Sequence, residues 1–402
     1  MNVEEKYLIK ILNDYIHNNP VKIIPRNISL EILYQISKKH NITAIVYEIL
    51  AEAFQNKTLE ELDIIKRFQT DMISTIFISE LQRECVKEIV RKFENNGITY
   101  VLLKGYQLKE LYPNPDLRTM GDIDILISPE NRDVVHEIFL SEGYQKDYGE
   151  GAVWTYRYNN VIFEIHTSLV FETIQNGINY DTYFKNATHC LIKKDDTYRR
   201  YIKPEIEFIY LMFHLAKHMC TFGAGIRMIM DIALYIMKHE KKLNWTFIQT
   251  ELKNLKLMKF TSYIVNLIKE IFQISTVFPV KKCDRELLFE MQEYILTGGI
   301  FGFNRPYSIS YLRRGISTQN INNKLLIKCR AYLKLMFPTR KYMTFFLPQV
   351  EKHIMLLPVA WVIRWKRTFN NRKYVKDRLE GMNNNTEEAR KQYYLLKKIG
   401  LY

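Results

Sequence analysis

Two apolar segments that carry acidic side chains in alternation constrain this chain more than any other sequence feature. The first is residues 122–127, in which Asp122 and Asp124 alternate with isoleucines. Side chains two positions apart on a β-strand point to the same face, so both carboxylates share one face and the isoleucines form the other. We therefore predict a strand with a core on one side and an acidic site on the other, the two Cα atoms being about 6.5–7 Å apart.

The second segment is residues 161–169, which places Glu164 and His166 on one strand face. A strand-like run at 153–158 precedes it, and the two asparagines between the runs tolerate the positive φ angles of a two-residue hairpin turn. A carboxylate inside an otherwise apolar strand needs a partner, and a shared cation is a suitable one. The sequence thus predicts a third acid close to the first two.

Three carboxylates on two strands indicate a magnesium site. Asp122 and Asp124 repel each other unless a cation lies between them, and hard oxygen ligands suit Mg²⁺. Two such ions about 3.5–4 Å apart stabilise both the attacking and the leaving oxygen of a phosphoryl transfer. The alternative interpretation is a half-buried edge strand whose two acids are solvated.

Helical periodicity surrounds this strand-rich part. Residues 1–95 form a predicted N-terminal helical region, residues 96–200 a core with strands at 98–103, 122–127, 153–158 and 161–169, and residues 201–402 a C-terminal helical region. The predicted fold class is α+β, with a small mixed-sheet core flanked by the two helical regions.

Positive charge is concentrated at the C-terminal end. Residues 301–402 contain 21 Lys and Arg against 5 Asp and Glu, a balance of +16, whereas the whole chain carries +14. Such a region attracts nucleic acid, nucleotides or anionic lipid. The alternative, which the helical spacing of the basic residues favours, is a set of solvated helical faces. The longest apolar run near this end, residues 354–363, is too short to span a bilayer. We therefore predict a cytoplasmic protein without a membrane span.

The motifs together resemble the polymerase-beta-like nucleotidyltransferases, most closely the bacterial family described as uncharacterised nucleotidyltransferases. The resemblance covers most of the chain. It rests on Leu102-Leu103-Lys104-Gly105, Leu111-Tyr112-Pro113, Arg118, Gly121 with residues 122–127, Glu164-Ile165-His166, the helix segment 214–218, Gly225-Ile226-Arg227 and Asp231, and more weakly on residues 336–338 and 357–358.

The resemblance implies roles for the three acids. Asp122 and Asp124 would bind two Mg²⁺ ions, with Mn²⁺ as an alternative, and Glu164 would hold the catalytic ion and help activate the acceptor hydroxyl. The co-substrate would be a nucleoside triphosphate such as ATP. The fold implied is the small nucleotidyltransferase core already predicted from the strands.

The triphosphate would contact Lys104, Gly105, Arg118 and Arg227. The superfamily usually has Gly-Ser or Gly-Gly where this chain has Lys104-Gly105, which leaves the mode of phosphate binding open. Gly105 would let backbone N–H groups approach a phosphate, and Lys104 would pair with one as a point charge. For Arg118 a salt bridge to Asp116 is an equal alternative, and for Arg227 the plain alternative is a helical salt bridge to Asp231, four residues on.

Four further residues are predicted to contact the acceptor or to support the acids: His166, His214, His218 and Asp231. For the three histidines, packing or a satisfied core hydrogen bond is the alternative. No HExxH pattern accompanies His214 and His218, so zinc is not expected.

The predicted activity is transfer of a nucleoside monophosphate to a hydroxyl or similar group, with release of pyrophosphate. The acceptor would be a small molecule, a peptide or a glycan intermediate. A tRNA or other RNA acceptor, bound through the basic C-terminal region, is one alternative, and a non-catalytic nucleotide-binding module is another. The sequence also leaves phosphoryl or glycosyl transfer open.

Overall fold

One five-stranded mixed sheet lies among helices. The computed structural model describes residues 1–55, 61–147, 151–170, 174, 176–188, 191–221, 223–280, 283–299, 307–316, 323–344, 347–369 and 385–402. The strands are β1 (Tyr100–Leu102), β2 (Ile123–Ile127), β3 (Gln145–Lys146), β4 (Val153–Tyr158) and β5 (Val161–His166).

The helices precede, interrupt and follow the sheet, as the α+β prediction requires. Short 3-10 turns join several of them, at Lys109–Leu111, Pro115–Leu117, Pro129–Asn131, Pro348–Glu351 and Ile354–Leu356. The α-helices are α1 (Val3–Ile16), α2 (Leu30–Lys39), α3 (Thr43–Phe54), α4 (Leu62–Asn95), α5 (Lys104–Leu108), α6 (Arg132–Ser141), α7 (Tyr180–Thr188), α8 (Pro204–Cys220), α9 (Ile226–His239), α10 (Trp245–Asn254), α11 (Met258–Phe272), α12 (Arg285–Gly298), α13 (Tyr307–Gly315), α14 (Lys324–Met336), α15 (Arg340–Met343), α16 (Leu357–Phe369) and α17 (Thr386–Lys398).

The strand order is β1-β2-β5-β4-β3. Strands β2 and β5 run parallel, while the other neighbours pair antiparallel. The hairpin between β4 and β5 turns at the two asparagines, and Asn159 takes the predicted left-handed conformation, with φ at 50°. Since β2 lies between β1 and β5 and is buried throughout, the alternative of an edge strand with solvated acids is wrong.

One face of the sheet buries the isoleucines of β2. Ile123, Ile125 and Ile127 pack in a core with the C-terminal half of α4 and with α6. On α6, the ring of Phe139 stacks on Tyr156 of β4 at a centroid distance of 4.3 Å. Because the period of a strand is two, filling this face with apolar residues fixes the acids on the opposite face.

A second and larger core lies on the acidic side of the sheet. It combines residues of α1–α3 and the start of α4 with residues of α8–α12 and of the C-terminal end. The N-terminal helices thus pack directly on the later ones, and a ring nitrogen of His17 lies 2.8 Å from the carbonyl oxygen of Phe272. The division into regions at residues 95 and 200 stays a prediction. Among the described residues, no helix combines the length and apolar character needed to cross a membrane.

Candidate functional site

The acidic face of the central strands gathers four polar side chains. Parallel pairing puts Asp124 of β2 directly beside Glu164 of β5. The Oδ1 atom of Asp124 accepts a 2.6 Å hydrogen bond from Lys104 Nζ, and it also lies 2.6 Å from His166 Nε2. The same His166 nitrogen is 3.6 Å from Glu164 Oε2. Asp124 and His166 are buried, whereas Glu164 is partly open to solvent.

Asp122 immediately precedes β2, which begins one residue later than the predicted strand of residues 122–127. Burial raises the pKa of its carboxyl to about 6, and the negative charges of Asp124 and Glu164 add to the rise. These two charges act on Asp122 because strand alternation turns Asp122 and Asp124 to one face. Asp122 therefore lies within electrostatic range of the other two predicted acids.

Asp124 is held ionised in this buried position. Burial opposes its negative charge, but the charge of Lys104 and the hydrogen bond with His166 outweigh burial and hold the pKa of Asp124 well below its usual range. Burial likewise opposes the positive charges of the partners. The carboxylate partners outweigh it, so the pKa values of Lys104 and His166 are both raised.

The donor set fits a divalent cation. Ligand atoms of Asp124, Glu164 and His166 all lie within 4.8 Å of one another. Asp122 adds a carboxylate whose pKa is raised first by burial and then by repulsion from Asp124 and Glu164, and a bound cation would relieve that repulsion. The carboxylates suit Mg²⁺, while an imidazole nitrogen is also compatible with a softer first-row metal.

Lys104 lies at the turn between β1 and α5, and this position brings its side chain into contact with Asp124. Lys104 has φ at 45°, a left-handed conformation that costs a non-glycine residue energy. At the next position, a Cβ atom on Gly105 would lie 2.8 Å from Arg118 Nη1 and 3.2 Å from Met120 Sδ. Glycine is thus required here by the close approach of Arg118, a reason separate from the predicted approach of a phosphate.

Arg118 is paired with Asp231 of α9. Its Nε and Nη2 atoms donate to the two carboxylate oxygens at 2.8 and 2.7 Å, and the Tyr112 hydroxyl donates to Asp231 Oδ1 at 2.7 Å. All of these groups are buried. The alternative pairing of Arg118 with Asp116 is wrong, because Asp116 is held by Arg83 and by the Ser79 hydroxyl.

Arg227 lies beside this ion pair. Its Nη1 atom donates to the carbonyl oxygen of Thr119 at 2.9 Å and to the Thr119 hydroxyl. Burial and the positive charge of the neighbouring Arg118 together lower the pKa of Arg227 to about 10, although the negative charge of Asp231 acts to raise it. Arg227 therefore ties α9 to the loop that leads into β2, and its buried guanidinium group interacts electrostatically with Asp122.

Helix α8 covers the acidic face with Tyr210, His214 and His218. The rings of the two histidines meet edge to face at a centroid distance of 4.5 Å. Burial lowers the pKa of His218 to about 3 and that of His214 well below its ordinary value, so both are neutral at neutral pH. Lys104 acts electrostatically on both histidines and on Tyr210. Sequence reasoning did not single out Tyr210, since one of 27 tyrosines carries no local signal.

A comparison with family models supplies an independent finding. The model described as "uncharacterised nucleotidyltransferase" matches residues 27–273. The match runs from just before α2 to just after α11 and includes the sheet, the acids, Arg118 and Asp231. Comparisons with curated proteins and with solved structures give no match.

Proposed function

Because the chain belongs to the family of uncharacterised nucleotidyltransferases, we propose that it transfers a nucleoside monophosphate from a nucleoside triphosphate to an acceptor hydroxyl. The observation that carries this proposal is the pairing of Asp124 with Glu164 on adjacent parallel strands, with the charges of both acting on Asp122. Such a group of carboxylates is suited to holding the cations that accompany a triphosphate.

Asp122, Asp124 and Glu164 would hold the divalent ions, Mg²⁺ being the proposed species. A bound divalent ion supplies charge neutralisation for the triphosphate and lowers the pKa of the attacking hydroxyl. Asp124 suits this role because it stays ionised although it is buried. Glu164, which is partly open to solvent, would accept the hydroxyl proton.

The proposed reaction is a displacement at the α-phosphorus. The acceptor oxygen forms a bond to that phosphorus, the bond to the bridging oxygen of the β-phosphate breaks, and pyrophosphate leaves with the electron pair. The acceptor proton passes to the Glu164 carboxylate. The protein contributes position and charge rather than covalent chemistry, as is general for phosphoryl transfer.

Lys104 and Gly105 are proposed to meet the triphosphate at the start of α5. Arg118 uses Nε and Nη2 on Asp231, so its proposed phosphate contact falls to Nη1, the atom that lies against Gly105. Arg227 is proposed to add positive charge behind the same loop. Four further residues are proposed to contact the acceptor or to hold the phosphate-binding residues in place: His166, His214, His218 and Asp231.

For the acceptor we propose a small molecule, a peptide or a glycan intermediate. The basic residues 301–402, which prompted the RNA alternative, lie outside the family match. The catalytic part of the proposal therefore does not depend on them.

The test is incubation with Mg²⁺, each α-labelled nucleoside triphosphate in turn, and a cell extract that contains both metabolites and RNA. Asp122→Ala, Asp124→Ala and Glu164→Ala should each reduce label transfer at least about 100-fold, the scale seen when a charge-stabilising group is lost. Asp147→Ala is the control, because that carboxylate pairs with Arg157 away from the site.

Product size separates a metabolite or peptide from RNA. Mn²⁺ binding, followed by electron paramagnetic resonance, should weaken in the three site variants and persist in the control. Full transfer by any site variant would contradict the proposal, as would nucleotide binding by the native protein without pyrophosphate release.

A further inference from the structure

An exposed apolar stripe runs along α16 and the 3-10 turn before it. Met355, Val359, Val362 and Lys366 follow one another at intervals of four, three and four residues, which places them on one side of the helix. The three apolar members are 86%, 49% and 56% exposed, and Lys366 is exposed as well. We call these four residues the α16 stripe.

The opposite side of α16 is fastened to the end of α14. Trp361 Nε1 donates to the Pro338 carbonyl oxygen at 3.0 Å, and Trp365 Nε1 donates to that of Met336 at 2.7 Å. Arg364 Nη1 reaches the carbonyl oxygen of Leu335 at 3.0 Å. These contacts fix the rotation of α16, so the outward direction of the stripe is set by the fold.

The surroundings of the stripe are strongly basic. Residues 323–344 and 347–369 contain ten Lys and Arg and one acidic residue, Glu351. Lys352 is exposed just before the stripe, and α14 exposes further apolar side chains, Leu325, Leu326 and Leu333. Aliphatic groups and cations presented together match a surface that offers negative charge above a hydrocarbon layer.

We infer that the α16 stripe docks this protein on the surface of an anionic lipid bilayer. Met355, Val359 and Val362 enter the boundary between headgroups and acyl chains, while Lys352 and Lys366 meet anionic headgroups. The inference does not rest on nucleotidyl transfer.

Single-stranded RNA is the less favoured occupant of this surface. Proteins that bind it stack bases on exposed aromatic rings, but both tryptophans of α16 are turned inward and donate to backbone carbonyls. The ring of Phe337 is 44% exposed but is packed edge-on against Trp361 and Trp365, at 5.0 and 5.3 Å. The apolar members of the α16 stripe itself are all aliphatic, which suits lipid.

The experiment is co-sedimentation of the full chain with vesicles, either of phosphatidylcholine alone or of phosphatidylcholine with phosphatidylglycerol. We expect binding to the anionic vesicles and at least about tenfold weaker binding to the neutral ones, since anionic headgroups attract each basic residue near the surface. Val359→Asp/Val362→Asp and, separately, Lys352→Glu/Lys366→Glu should each weaken anionic binding at least about tenfold.

Matched controls test whether the stripe itself is responsible. Ile73→Asp/Phe77→Asp replaces two exposed apolar residues of α4, and Lys241→Glu/Lys242→Glu replaces two exposed lysines elsewhere. Both controls should bind like the native protein. Because all substituted side chains are exposed, circular dichroism should show every variant folded.

Three results would overturn the inference. The first is no binding to anionic vesicles, and the second is equal weakening by the stripe and control variants. The third is binding to a single-stranded RNA oligonucleotide, with a steep salt dependence, in place of binding to vesicles. Transfer activity in solution should be unchanged in the stripe variants, so failure here is distinct from failure of the proposed activity.

Discussion

Lys104 Nζ lies 2.6 Å from Asp124 Oδ1, so a partly buried lysine and a buried aspartate form an ion pair at the centre of the acidic face. His166 approaches the same oxygen. The lysine reaches this position only through a left-handed backbone. A cation bound by Asp124 therefore meets an oxygen that already has two partners, and the chain itself supplies part of the charge that the acids require.

Removing Lys104 should destabilise the metal-free protein. Lys104→Met leaves Asp124 charged, buried and short of a partner, which we expect to lower the free energy of unfolding by about 3 kcal/mol. The measurement is urea unfolding in the presence of a chelator. The affinity for Mn²⁺ should stay the same or increase, because Lys104 no longer competes with the ion for Asp124.

The control is Arg157→Met, which removes a half-exposed pair with Asp147 and should cost less than about 1 kcal/mol. Equal losses of unfolding free energy in the two variants would mean that the pair of Lys104 with Asp124 stabilises the protein no more than the half-exposed pair does.

Gly105→Ala should disturb the site, whereas Gly121→Ala should not. A Cβ atom at Gly105 meets Arg118 Nη1 at 2.8 Å, while nothing lies within 4 Å of one at Gly121. The Arg118 side chain cannot easily move away from the added Cβ atom because Asp231 holds it. We therefore expect a loss of about 1–3 kcal/mol in unfolding free energy together with weaker triphosphate binding. Thermal unfolding and nucleotide titration of the two variants check this, and identical behaviour would contradict it.

The pairing of Arg118 with Asp231 should respond to geometry as well as charge. Arg118→Met leaves Asp231 buried without its main cation, at a cost of about 3–5 kcal/mol. Arg118→Lys keeps the charge but loses the bidentate hydrogen bonding, so it should restore only part of the stability that Arg118→Met loses. In a double-mutant cycle with Asp231→Leu, the combined loss should be smaller than the sum of the two single losses. Additive losses would show that the pair is not coupled.

Glu207 should make stability depend on pH near neutrality. Burial at the start of α8 raises the pKa of Glu207 to about 7. The Tyr235 hydroxyl lies 3.1 Å from Glu207 Oε2 and 2.9 Å from the Pro204 carbonyl oxygen, and a protonated Glu207 adds a donor to this group. Because the folded-state pKa is above the unfolded one, the stabilising contribution is complete below about pH 4.5 and disappears as the pH rises through 7.

The contribution amounts to about 3 kcal/mol. Glu207→Gln should remove this slope when unfolding is measured at several values between pH 5 and pH 8. Glu205→Gln, in the same first helical turn, is the control and should keep the slope. A native protein whose stability is flat over this interval would contradict the prediction.

The local sequence pattern determined which strands carry the acids and on which strand face the acids lie. The alternation in residues 122–127 and the single carboxylate at Glu164 predicted two strands and the faces on which their acids lie, because strand periodicity is a property of a few consecutive residues. Helices beyond residue 201 followed from the same kind of signal, and α8 and α9 lie there. The sequence motifs also predicted the family that the comparison identified.

Only the tertiary structure decided which charges meet. Arg118 and Asp231 are 113 positions apart, and the local alternative, Asp116, is taken by Arg83. The contact of Lys104 with Asp124 and the position of Tyr210 near both likewise depend on how α5 and α8 pack against the sheet. Periodicity records which side of an element is buried, but the partner of a buried charge is set by the surface that another element brings to it.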